Sequence, residues 1–244
     1  MVDRFINPNK TENGDTFEGG FDTLKKYRKA RKTMGPTWEY FNKSFTYIQN
    51  ESNFRTKPVN EIDWENSIVV FGCSNVYGVG LAEEDTITAQ LEKILSIPVI
   101  NLGISGSAID LASVNSLILH EHYPVPKAIV HLWTSASRYT DFTSGNIRKY
   151  IPTVESKQPR SKDYVSQLDW ESRSKHYVLA DNALWRGKTC YYQASMFQET
   201  FTLLDIDNLG TVDFARDLRH PGSESAKLTA NIIASALIKL GVSK

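Results

Sequence analysis

Three short apolar runs, separated by stretches of helical periodicity, constrain this chain more than any other feature. The first, Ile68-Val69-Val70-Phe71, is β-branched and closes at Gly72. So brief and uniform a run reads as a strand buried on both faces. Asp85 is then expected to cap a helix whose apolar positions Ile87, Leu91, Ile94 and Leu95 follow helical spacing. Val99-Ile100-Asn101-Leu102-Gly103 reads as a second strand. Ile109, Val114, Leu117 and Ile118 mark a second amphipathic helix, closed before Pro124, and Ala128-Ile129-Val130-His131-Leu132-Trp133 is a third strand. Strand-then-helix units with short loops require right-handed crossovers, so the expectation is a parallel sheet with helices on both faces. An active site in such a fold lies at the carboxyl ends of the strands.

A chain of 244 residues is long enough for one main domain with decorations. Residues 1–66 are polar and interrupted by Gly and Pro, and read as an N-terminal extension packed on or tethered to the core through aromatics such as Trp38, Tyr40, Phe41 and Tyr47. The main domain is expected over 67–244, with an insertion at about 139–200 that is helical around Asp163 to Leu184. Phe201-Thr202-Leu203-Leu204-Asp205-Ile206 reads as a further strand. Ser223 to Leu240 reads as a closing helix with a stripe of Leu228, Ile232, Leu237 and Leu240, capped by Gly241.

Lys plus Arg and Asp plus Glu are both 28, so no global charge points to nucleic acid, and none is expected as a partner. Locally, Lys25, Lys26, Arg28, Lys29, Arg31 and Lys32 form a dense basic run. It fits either a solvated helix face or a dock for an anionic polymer or acidic partner. The two cysteines cannot build a disulfide framework, which suits a reducing compartment. The opening Met-Val-Asp-Arg-Phe-Ile-Asn-Pro-Asn-Lys lacks the apolar run of a secretory signal, and no stretch approaches the roughly 18 apolar residues of a membrane span. A soluble protein, cytoplasmic or otherwise, with no membrane partner is the expectation.

The chemistry gathers at two places. In Phe71-Gly72-Cys73-Ser74-Asn75-Val76-Tyr77-Gly78, a serine sits where a buried strand turns toward a helix. Its hydroxyl is thereby presented at the sheet's carboxyl edge, and its own N–H can face a developing oxyanion. In Asp217-Leu218-Arg219-His220-Pro221-Gly222, an Asp three residues before a His can hold one imidazole nitrogen while the other faces a serine. Cys73 reads as a small buried residue. His120 and His122 suit carbonyl capping or solvent near the end of a helix rather than a metal, and His131 and His176 have no evident partners. Gly78 and Gly80 fit neither a phosphate loop nor a dinucleotide fingerprint. No cofactor and no metal is expected.

These blocks resemble the SGNH (GDSL-like) hydrolase family, whose first block is a Gly-Asp-Ser or Gly-Cys-Ser turn and whose last is Asp-x-x-His, often followed by Pro. Asn101-Leu102-Gly103-Ile104-Ser105-Gly106-Ser107 is similar to the second block. The resemblance covers about residues 67–135 and 213–240. It implies a three-layer α/β/α sandwich with a mostly parallel, flavodoxin-like sheet, and a triad of Ser74, Asp217 and His220. The implied oxyanion hole is formed by the N–H groups of Ser74 and Gly106. One block departs: where the family has Gly-x-Asn-Asp, this chain has Trp133-Thr134-Ser135-Ala136. Ser135 falls at the Asn position as a substitute donor, with Arg138 nearby as a charged alternative or substrate contact. The implied activity is hydrolysis of acyl esters or O-acetyl carbohydrates, on a small-molecule or carbohydrate ester. The competing readings are a catalytically weak or inactive carbohydrate-binding or structural protein, and an interaction protein anchored by its basic run.

Overall fold

The computed structural model describes residues 4–9, 14–142, 148–150 and 167–243. After helix α1 (Leu24–Met34), the chain lays down β1 (Ile68–Gly72), α2 (Ser74–Tyr77), α3 (Ile87–Leu95), β2 (Val99–Gly103), α4 (Ile109–His122) and β3 (Ala128–Trp133). A small antiparallel pair, β4 (Tyr139–Asp141) and β5 (Arg148–Tyr150), precedes α5 (Gln167–Trp185), β6 (Cys190–Ser195), α6 (Gln198–Leu204), β7 (Asp207–Asn208) and α7 (Ser223–Lys239). The main sheet has five strands in the order β2-β1-β3-β6-β7, all paired in parallel. Reversal of the winding direction between β1 and β3 opens a crevice beyond their carboxyl ends, the usual ligand position in doubly wound folds.

The three early strands are buried at every position, as their composition dictates. Their side chains alternate between two layers. Ile68, Val70, Val130 and Leu132 face a cluster completed by Leu91 and Leu95 of α3 and Ile233 and Leu237 of α7. Val69, Phe71, Ile129 and Trp133 face a second cluster with Ile109 and Leu111 of α4 and Val178 and Trp185 of α5. The N-terminal segment enters both layers, Tyr40 in the first and Phe5, Phe54, Val59, Ile62 and Trp64 in the second.

Four expectations change. The helix stripes are turned: α7 buries Ala226, Ala230, Ile233 and Leu237, its small alanines letting it pack closely on α3, and leaves Leu228 and Leu240 exposed, while α4 buries Leu111 and Leu119 and leaves Leu117 exposed. The α3 cap is Thr86, whose side chain accepts from Ala89 N–H, because Asp85 is taken up by the preceding 3-10 turn and an ion pair to Lys43. Residues 201–206 are not a strand: through Leu204 they belong to α6. Thr200 pins that helix to the end of β3, donating to Thr134 O at 3.0 Å and accepting from Ala136 N at 2.9 Å. The fourth strand is instead β6, from the stretch read as an insertion, and it pairs with β3 along its whole length. Helix α5 lies where helical character was expected, and its Val178 and Trp185 pack in the core; residues 151–166 lie outside the described residues.

Within the α4/α5 layer, His131 stacks between Phe71 at 4.9 Å and Trp133 at 4.2 Å. Its Nε2 stands 3.8 Å from Asp181 Oδ1, beyond hydrogen-bond reach, and both groups are buried. Burial drives each toward its neutral form, holding His131 down at about 3 and pushing Asp181 up to about 7, with the Ser113 and Ser116 hydroxyls offsetting only part of the latter. A histidine whose folded pKa is lowered adds stability as pH rises from about 3 to its unfolded value; a carboxyl whose folded pKa is raised removes stability from its unfolded value up to about 7. The two trends oppose each other over most of this window. Asp181→Asn removes the second trend alone. Its melting temperature relative to wild type is therefore expected to climb by roughly 3–8 °C between pH 4 and pH 7, measured by thermal denaturation.

Candidate active site

β1 closes at Gly72, Cys73 remains extended, and Ser74 opens the four-residue helix α2, which ends on Gly78 in the left-handed region at φ 81°. This helix settles directly on the strand ends. A side chain at Gly72 would strike Val76 and the Leu132 carbonyl, and one at Gly103 would strike the backbone nitrogen of Tyr77. Both positions therefore require glycine. Buried Asn101 ties the underside, donating to Val76 O at 2.9 Å and to Thr88 Oγ1 at 3.2 Å while accepting from Gly103 N. Ser74 is 5% exposed, and its hydroxyl contacts Cys73 Sγ at 3.9 Å.

The second element is the loop 213–222, closed at its base by an antiparallel bridge between Phe214 and Pro221 and by Ala215 N–H donating to His220 O at 2.9 Å. Leu218 takes a left-handed φ of 57°, a conformation that costs a non-glycine residue about 1–2 kcal/mol. The resulting turn brings Asp217 Oδ2 to 2.6 Å from His220 Nδ1, and Asp217 Oδ1 accepts from the N–H groups of Arg219 and His220, each at 3.1 Å. Because an ionised carboxylate only accepts, Nδ1 carries the proton and Nε2 is left as the basic nitrogen. Burial alone would raise the Asp217 carboxyl, but the hydrogen bond and charge of His220, with the two backbone donors, outweigh it and hold the group below the ordinary carboxylate value.

The loop reaches the serine turn through Gly80, whose carbonyl accepts from Arg216 N–H at 3.2 Å; Val79 N–H in turn donates to Ser74 O at 3.1 Å. Among the described residues no hydrogen bond joins Ser74 Oγ to His220, a link that commonly tightens only with substrate bound.

On the opposite side, Gly106 adopts φ 72° in a turn closed by Ser107 N–H donating to Ile104 O. The N–H groups of Gly106 and Ser74 have no acceptor among the described residues. The Ser135 hydroxyl donates to Glu199 Oε1 at 2.6 Å and lies 2.8 Å from Ser137 Oγ. Its one proton is thus engaged by α6. Arg138 lies between the second- and third-strand loops, donating to Thr134 Oγ1 at 2.8 Å and to Ser107 O at 3.5 Å, with its guanidinium 5.2 Å from the Phe197 ring centre.

Residues that the sequence reading passed over complete the surroundings. Phe21 meets His220 edge-to-face at 5.7 Å. Next to it, Asp22 forms a bidentate pair with Arg216, Nη2–Oδ2 2.5 Å and Nε–Oδ1 3.1 Å, both side chains being 1% exposed. Tyr47 donates to Asp22 Oδ2 at 2.6 Å and accepts from Gly80 N–H at 2.8 Å. Burial and the neighbouring Asp22 push the Tyr47 phenol far up, so it stays a donor. The signal available was the charge of Arg216, placed between Ala215 and the Asp217 motif. His120 and His122 lie elsewhere, His120 against Trp185 and Lys188 and His122 against Arg4.

No protein-family model matches the sequence, and no curated protein matches it. Among solved structures, the chain is similar to an acetyl xylan esterase, Est2A, from the rumen bacterium Butyrivibrio proteoclasticus, at TM-score 0.50 and 11% identity over 74% of this chain and 66% of that one. It is also similar to a lipolytic protein of the G-D-S-L family from Desulfitobacterium hafniense, at TM-score 0.46 and 12% identity over 70% and 99% of the two chains. A third is a carbohydrate acetylesterase family member from Sinorhizobium meliloti, at TM-score 0.43 and 13% identity over 72% and 98%. At these identities the likeness is one of fold: the chain has an SGNH hydrolase-like fold, with a parallel five-stranded sheet between two helical layers.

Two outcomes are expected. Asp22→Ala leaves Arg216 buried and unpaired, a loss of roughly 3–5 kcal/mol that calorimetry should register as a drop of about 10 °C in melting temperature. Gly103→Ala should destabilise by about 1–3 kcal/mol in denaturant titration, because a backbone nitrogen cannot swing aside as a side chain does.

Proposed function

We propose that this chain is a serine-dependent esterase that removes acyl groups, acetyl foremost, from carbohydrate hydroxyls. The observation that carries the reading is the Asp217–His220 hydrogen bond of 2.6 Å, on a loop bonded through Gly80 to the turn that bears Ser74. In this reading Ser74 Oγ attacks the ester carbonyl as His220 Nε2 takes its proton, while Asp217 holds the imidazole by Nδ1–H and stabilises its charged form. The oxyanion is received by the Ser74 and Gly106 N–H groups, with Arg138 supplying positive charge on the side where Ser135 is engaged by Glu199. His220 returns its proton to the departing alcohol, then activates a water that releases the acyl group from Ser74. The N-terminal extension acts as part of this unit. The acetyl xylan esterase and acetylesterase among the similar structures accord with acetyl as the acyl group.

A second reading is favoured by one feature. The third-strand loop offers a serine already hydrogen-bonded to a carboxylate where a free donor is needed, as in a scaffold that binds carbohydrate without hydrolysing it. Hydrolysis of p-nitrophenyl acetate and longer esters by wild type and Ser74→Ala, with fluorophosphonate labelling, separates the two. The expected result is turnover and labelling lost in Ser74→Ala, and turnover lowered about 10²–10³-fold in Arg138→Ala. Absence of both signals in the wild type would favour the binding protein.

A further inference from the structure

Helix α1 carries six cations in eleven residues and no acidic residue. Lys25, Arg28, Lys29 and Lys32 are exposed and spaced i, i+3, i+4, i+7, which places them on one face. None of the six forms an ion pair among the described residues. Like charges at this spacing repel, and Lys25 and Lys26 sit in the first turn, where the helix dipole disfavours cations. The stripe thus works against local stability and has no counter-charge among the described residues.

Its position connects it to the candidate site. Lys26 Nζ lies 4.8 Å over the ring of Phe21, and the guanidinium of Arg219 lies 5.1 Å from the same ring, which meets His220 edge-on. From there the stripe runs away along α1 for about 10 Å, at 1.5 Å per residue. Toward its far end a cavity of about 270 Å³ is lined by Arg28, Arg31, Lys32 and Phe41, with the Arg31 guanidinium 4.4 Å from the Phe41 ring centre. An aromatic wall suits the apolar face of a sugar ring, and guanidinium groups suit a carboxylate. Charge repeated along a line fits a repeating ligand.

We infer that α1 and the Phe21 rim bind a carboxylate-bearing polysaccharide, and that the ester cleaved beside His220 is carried by such an acidic glycan. This rests on the esterase reading for the cleavage, though not for the binding. A nucleic acid offers the same repeated charge but no acyl ester, and the formal net charge of zero provides no wider field for a duplex.

Binding is tested without catalysis. Ser74→Ala is run by affinity electrophoresis through gels containing unacetylated polygalacturonate, neutral dextran or single-stranded DNA. Retardation by polygalacturonate alone, relieved by salt and weakened about tenfold or more in the charge-reversed K25E/R28E/K29E/K32E background, is expected. Equal or stronger retardation by DNA would reassign the surface to nucleic acid, and no retardation by polygalacturonate would overturn the inference. Cleavage is tested as the kcat/KM ratio of chemically acetylated polygalacturonate to acetylated dextran. The wild type should favour the acidic polymer, and the quadruple variant, checked for folding by circular dichroism, should lose that preference about tenfold. Equal use of both polymers by an active wild type would overturn the substrate assignment. An enzyme silent on every ester that still binds polygalacturonate would fail the esterase reading alone.

Discussion

The buried pair of Arg216 and Asp22 joins segments 194 residues apart, and the candidate site is built around it. Arg216 precedes Asp217 directly, and both side chains are buried. Desolvating the guanidinium is costly unless its donors are matched. Three of the donors are matched, two by Asp22 and one by the Thr16 carbonyl at 2.6 Å, and the ring of Phe45 lies over the guanidinium at 3.8 Å. Asp22 is in turn held by Tyr47, which also takes the Gly80 N–H. The polar N-terminal segment is thereby the counter-charge of the site.

A second constraint is backbone proximity. The turn bearing Ser74 rests on Gly72 and Gly103 so closely that neither position admits a side chain. Arg55 braces the same turn, its guanidinium donating to the carbonyls of Gly78 at 2.8 Å and Leu81 at 3.0 Å and pairing with Glu83 at 2.5 Å. In the proposed reaction such preorganisation suits a hydroxyl that meets a carbonyl in one orientation. Charge is handled differently inside and out: burial favours the neutral forms of His131 and Asp181 in the interior, while the cations of α1 gather on the surface without ion pairs among the described residues.

How much of this was legible depended on how far apart the interacting residues lie. The strands β1 to β3 were visible because β-branched runs bounded by glycine have few alternatives, and α7 was visible as a helix though not in the face it buries, since Leu228 and Leu240 of the expected stripe are exposed. Asp217 and His220 were visible as a pair because three residues of turn suffice to bring them together. By contrast, Cys190-Tyr191-Tyr192-Gln193 is a strand because β3 offers it a free edge, and Phe201 to Leu204 is helical because Thr200 is tied to the loop after β3. A short apolar run carries no period that decides between the two states.

The sequence by itself determined the alternating architecture, the serine turn, the Asp-x-x-His loop and the cationic helix, since each is set by neighbours within a turn or two. The tertiary structure alone decided that Asp22 would neutralise Arg216, that Glu199 would take the Ser135 proton across 64 residues, and that Phe21 would bring the basic helix beside His220. Those contacts join side chains distant in sequence, and burial, which selects them, is a property of the packed whole rather than of any local segment.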